Sequence, residues 1–168
     1  MGLIPMTFDA MAEGALFLWQ SLGGALNLGI KPVQQKCSGA VVVLTEANSQ
    51  PRAYRLPLSQ TDDLGTTLEL LAGTSFFTPR LRDDRPREGP EPCAPGDVVA
   101  LGDGARLLYF RDDSSGRFVN LLNGDVMPLF EIVKRQQAAR CYTRWQLLAT
   151  KPDGRIRIVF DFSPPPAA

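Results

Sequence analysis

The chain contains no histidine, and that absence excludes more chemistry than any motif it carries suggests. Histidine is the commonest general base, the usual metal ligand and the group that activates serine or cysteine in most triads. Cysteine is scarce too: Cys37, Cys93 and Cys141 are widely spaced and form no CxxC pair, so no zinc ribbon is encoded. Three thiols fit a reducing cytoplasm better than a disulfide framework, with a single Cys37–Cys93 or Cys93–Cys141 bridge left open. No GxGxxG or GxxxxGK string occurs to cradle phosphate. Charge of one sign is missing as well, because 18 Lys and Arg balance 18 Asp and Glu. A nucleic-acid binder needs a basic excess to displace counterions, so nucleic acid is not the expected partner. No apolar run approaches the roughly 18 residues of a membrane span. The first 24 residues lack a basic n-region, with Asp9 and Glu13 ahead of the first lysine, Lys31, which is not a signal-peptide pattern. The expectation is a cytoplasmic protein with no membrane contact, no cofactor, no metal site and no catalytic residue.

What remains is a well-patterned scaffold. The 168 residues, 44% hydrophobic and 21% charged, suit one folded unit with a real core. Between Phe8 and Leu22 the apolar positions Phe8, Met11, Ala15, Leu18, Trp19 and Leu22 recur at steps of three and four, predicting a helix stopped by Gly23 and Gly24. A Val-rich run, a polar turn and a second alternating run predict a β-hairpin over 39–58, with Pro57 near the end of its second strand. "TDDLGTTLELLAG" predicts a short helix capped at Thr61 and closed by Gly73, with Leu64, Leu68 and Leu71 on one face.

Prolines at 79, 86, 90, 92 and 95 then predict a loop near 79–96. A three-stranded meander follows at about 97–101, 105–111 and 117–122, turning at 102–104 and 112–116. Asp125 is placed to cap a third helix from Val126 to about Arg140, with Val126, Leu129, Phe130 and Val133 toward the sheet. The closing stretch "RWQLLATKPDGRIRIVFDF" predicts a hairpin about a KPDG turn, in which Ile156, Ile158, Phe160 and Phe162 share the buried face. Together these give an α+β fold: a single domain over 1–162, mainly antiparallel sheet packed by about three helices, with a frayed tail at 163–168.

The carboxylate pairs Asp62/Asp63, Asp83/Asp84 and Asp112/Asp113 read as a cap, a loop and a turn. Neighbours in a strand or turn point apart, whereas acid–base catalysis needs two carboxylates converging on one substrate. The glycines of "LGDGARL" are those of a hairpin turn, and Trp19 and Trp145 sit within apolar patterns as core or half-buried residues rather than ligand platforms.

The helix "VMPLFEIVKRQQAA" followed by "RWQLLATKPDGRIRIVFDF" resembles the end of YezG-like immunity proteins, with their tryptophan strand, glycine turn and aromatic strand. The preceding "VVALGDGARLLYFRDDSSGRFVNLLNGDVMPLFEIV" is similar to SUKH-like immunity proteins. The resemblance covers about 97–162 and contains no catalytic string; the proline-rich loop and the neutral charge depart from it. It implies a non-enzymatic protein that binds and neutralises a bacterial toxin domain. Such an inhibitor needs charged turns to steer a partner and a few anchors. Asp112, Asp113 and Arg117 on the meander turn and Arg155 and Arg157 on the last strand are the candidate partner-binding residues. A secretion chaperone or adaptor for an effector, and a small enzyme using carboxylates or Cys141, are the alternative readings.

Overall fold

The computed structural model describes residues 4–21, 23–45, 51–67, 69–70, 76–82, 87–88, 94–134, 139–151 and 153–163. Fifteen strands and one short α-helix are found among them, so the molecule is mostly β and the expected α+β fold with about three helices is corrected. Twelve strands form one sheet, and β7 (Phe76–Leu81), β14 (Trp145–Thr150) and β15 (Ile156–Phe162) form a second in the order β15-β14-β7.

The predicted N-terminal helix is absent. Its residues form a 3₁₀ turn at Phe8–Ala10 and strand β2 (Leu16–Gln20), which pairs antiparallel with β3 (Leu26–Ile30). The glycines read as a helix stop belong to the hairpin turn between them: Gly24 has φ +86° and donates to the Ser21 carbonyl. The physical reason is double burial. Leu16 and Leu18 enter one core while Phe17 enters another, and a strand covered on both faces loses the alternation that would announce it.

The hairpin predicted next is present as β4 (Ala40–Val43) and β5 (Ala53–Leu56), ending just before Pro57. The helix expected from Thr61 is instead a 3₁₀ segment, Leu58–Thr67, followed by β6 (Glu69–Leu70). Thr61 does not cap it; its hydroxyl donates back to the Leu58 carbonyl at 2.8 Å. β6 pairs with both β1 (Ile4–Pro5) and β2. Leu64 is buried as expected, whereas the Leu68 and Leu71 positions lie outside the described residues.

Part of the proline-rich segment is strand rather than loop. Pro79 lies in β7 opposite Leu147, and among the described strands β7 is at the sheet's edge, where a residue without an N–H is tolerated. β8 (Arg87–Glu88) pairs with β13 (Ala139–Tyr142); residues 83–86 and 89–93, Cys93 among them, lie outside the described residues. The meander is found as predicted, as β9 (Val98–Leu101), β10 (Arg106–Asp112) and β11 (Ser115–Asn120).

The third predicted helix is cut short at both ends. Val126–Pro128 form β12 against β11, α1 is Leu129–Lys134, residues 135–138 lie outside the described residues, and β13 begins at Ala139. Val126 and Met127 enter opposite cores, as strand neighbours must, and Pro128 precedes the helix where a missing N–H costs nothing. Phe130, expected to face the sheet, is 67% exposed, and Ile132 is buried in its place.

A central core collects Leu18, Leu28, Val41, Leu108 and Phe110 from the large sheet with Trp145, Leu147, Phe160 and Phe162 from the small one. Behind β2–β5 the 3₁₀ segments close a second core through Phe8, Met11 and Leu64. Ile132 of α1 packs with Leu107 and Phe118 behind the meander. Buried Lys31 ties the first 3₁₀ turn down: its ammonium donates to the carbonyls of Phe8 at 3.0 Å and Met11 at 2.8 Å, and lies over the Phe8 ring. Three donors make it suited to gather carbonyls that no ladder satisfies.

Candidate protein-binding surface

The five residues singled out in the sequence fall on two hairpins in different sheets. Asp112, Asp113 and Arg117 belong to the β10–β11 hairpin, which closes on just two residues, Asp113 and Ser114. Asp113 adopts φ +51°, a conformation that aspartate accepts more readily than bulky residues. Arg55, on neighbouring β5, enters this group from a distant part of the chain.

Its Nε lies 2.6 Å from Asp112 Oδ1, and Arg117 Nη1 lies 3.0 Å from Asp112 Oδ2. Both guanidiniums continue to the loop between β3 and β4, Arg117 to the Lys36 carbonyl at 2.7 Å and Arg55 to the Ser38 carbonyl at 3.3 Å. Burial works against the charge on Asp112, but the hydrogen bonds from Arg117 and Arg55 outweigh it and hold its carboxyl below the usual carboxylate range. With its side chain 15% exposed, Asp112 is committed to its own fold, and Arg117 with it. Asp113, 84% exposed and 3.4 Å from Arg55, presents its charge outward. Nothing in the sequence pointed to Arg55, because the contact spans a β5–β10 pairing that local patterning cannot reveal.

The two described thiols are buried. Burial, which outweighs the nearby Arg117 and Arg55, pushes the Cys37 thiol up to about 11, leaving it protonated near neutrality. Cys141 is buried, and its Sγ lies 3.6 Å from Asp97 Oδ2. Among the described residues no group of three or more His, Cys, Asp or Glu side chains is placed to hold a metal ion.

The second hairpin, β14–β15, is built around its turn. Lys151 donates its N–H to the Arg155 carbonyl at 2.8 Å, Asp153 Oδ1 accepts from the Arg155 N–H at 3.0 Å, and Gly154 has φ +84°. Pro152 lies outside the described residues. The predicted alternation along β15 holds only halfway. Trp145 pairs with Phe162 and Leu147 with Phe160, all buried, but Leu148 pairs with Ile158, so Val159 is an extra residue in the ladder. Such a bulge moves everything beyond it to the other face. Ile158 and Ile156 therefore lie opposite Leu148 and Thr150, away from the core, and are 51% and 67% exposed.

Arg155 and Arg157 are exposed beside them; Arg155 makes only a loose 3.6 Å pair with Asp153. The result is an outer strand whose tip carries two isoleucines and two arginines toward solvent. A sheet edge of this kind can bind another protein by shape, hydrogen bonding and charge.

Comparison with known proteins finds no match: no family model, no curated protein and no solved structure is similar to this chain.

Proposed function

We propose that this chain is a non-enzymatic binding protein, an immunity protein that occludes and neutralises a cognate bacterial toxin domain in the cytoplasm. The observation that carries the reading is the exposed tip of β15, where Ile156 and Ile158 face water in alternation with Arg155 and Arg157 on a strand that is outermost among the described residues. Burial of the isoleucines in a partner would recover the apolar stabilisation that the bulge withholds from the fold, with the arginines as anchors. Exposed Asp113 supplies a further steering charge on the other hairpin. Two candidate groups of the enzymatic alternative are engaged within the fold: Asp112 is bound by two arginines, and Cys141 is buried against Asp97. The balanced charge of 18 against 18 favours a protein partner over nucleic acid.

The test is co-expression with the toxic C-terminal domain of a protein encoded beside this one. A stable complex on size exclusion and survival of cells producing the toxin are the expected results. A purified chain that neither binds that domain nor protects cells sinks the proposal.

A further inference from the structure

The geometry points to the mode of recognition: the outer edge of β15 over Ile156–Ile158, with Arg155 just ahead of the strand, takes up an extended partner segment as a fourth strand of the small sheet, one that alternates acidic with apolar residues. This rests on the binding reading above and names how that surface would engage its partner. Among the described residues β15 is terminal in the order β15-β14-β7 and pairs only with β14. An outer strand offers a row of backbone N–H and C=O groups, a template for another strand unless something blunts it. At the opposite edge β7 carries Pro79 in the strand itself. On β15 the bulge at Val159 limits the regular segment to its tip, and there the side chains are isoleucine and arginine in alternation.

Charge selects the occupant. Among the described residues of the turn and tip, 151–158, Lys151, Arg155 and Arg157 are all exposed, against a single exposed carboxylate, Asp153. A strand whose acidic side chains fall opposite the arginines and whose apolar ones fall opposite the isoleucines matches both faces. A second copy of this chain paired within the regular tip, ahead of the bulge at Val159, does not. Antiparallel self-pairing centred on Ile156 sets Arg155 against Arg157, and centring it on Arg157 sets that residue against itself. Like charges directly opposite one another are destabilising.

The experiment uses the full chain with a fluorescent Val-Glu-Val-Glu-Val-Glu-Val peptide, its lysine counterpart, and a version of the first with N-methylated backbone amides. The glutamate peptide is expected to bind on the order of tenfold more tightly than the lysine peptide, the effect of two exposed charge contacts switched in sign. It should protect the amides of 155–158 from hydrogen exchange. The Arg155→Glu/Arg157→Glu variant should reverse the preference, and N-methylation should abolish binding. Equal binding of both peptides, binding indifferent to N-methylation, or no binding overturns strand addition. So does concentration-dependent dimerisation through β15, which would assign the edge to a second copy. A toxin domain that still binds the double variant sinks this mode while leaving the immunity function intact. If the glutamate peptide binds but the toxin domain does not, the immunity reading alone fails.

Discussion

Arg55 Nε lies 2.6 Å from Asp112 Oδ1, and this contact clamps the one parallel pairing among the described strands, where Tyr54 of β5 meets Arg111 of β10. A single-residue parallel bridge has little ladder of its own. The ion pair, shared with Arg117, joins β5, the β10–β11 turn and the 36–38 loop through one carboxylate.

Asp112→Ala is therefore expected to lower unfolding free energy by about 2 kcal/mol, between the values of an exposed pair and a buried one, since two guanidiniums lose a charged acceptor. Urea titration measures it. The carboxyl is held below its ordinary value of 3.8, so the contribution is present above that pH and lost as pH falls through the lower folded value. The acid limb of the variant should be correspondingly shallower than that of the unaltered protein. An unchanged midpoint would mean that the clamp adds nothing.

Cys37 predicts the opposite limb. Its thiol rises from 9.0 to about 11 on folding, principally by burial, so the folded state holds its proton more firmly than the unfolded chain. Stability from this group is complete below about 9 and falls as pH climbs toward about 11. Thermal unfolding compared at about pH 8 and about pH 10 should show a smaller alkaline loss in Cys37→Ala than in the unaltered protein. Iodoacetamide should label the native thiol far more slowly than the denatured one.

How much of this was legible follows from which residues have one buried face. The 39–58 hairpin and the meander show turn residues at their loops, and both were readable. β2 was not, because Phe17 and Leu18 fill cores on opposite sides and their run mimics a helical stripe. Val126 and Met127 misled for the same reason, since Pro128 ends a strand there rather than sitting inside a helix. Of the candidate surface, the exposure of Asp113, Arg155 and Arg157 agrees with the charge pattern, while Asp112 is held inward by Arg55 and Arg117 together. The exposed isoleucines could not be foreseen, for a bulge leaves no mark in an unbroken alternation.

Gly29 sets a packing prediction on β3. It pairs with Phe17, whose ring occupies the space of the missing side chain; a Cβ there would fall 2.1 Å from the ring carbons Cε2 and Cζ. Phe17 is fully buried and has no room to yield. Gly29→Ala should cost about 1–3 kcal/mol by overpacking, although alanine otherwise suits a strand better than glycine. A melting temperature equal to that of the unaltered protein would contradict the close approach.

The bulge at Val159 makes the sharpest demand, because two apolar residues only two positions apart should behave as different classes. Phe160 is buried against Trp145, with ring centroids 5.5 Å apart, while Ile158 is half exposed beyond the bulge. Phe160→Ala should lose about 3–5 kcal/mol through transfer and cavity terms together. Ile158→Ala should stay within about 0.5 kcal/mol, as an open site leaves no cavity. An unbroken alternation would instead put both on the core face and give both substitutions a large cost. Equilibrium unfolding of the two variants separates these cases, and a large loss from Ile158→Ala would remove the exposed apolar tip on which recognition by β15 depends.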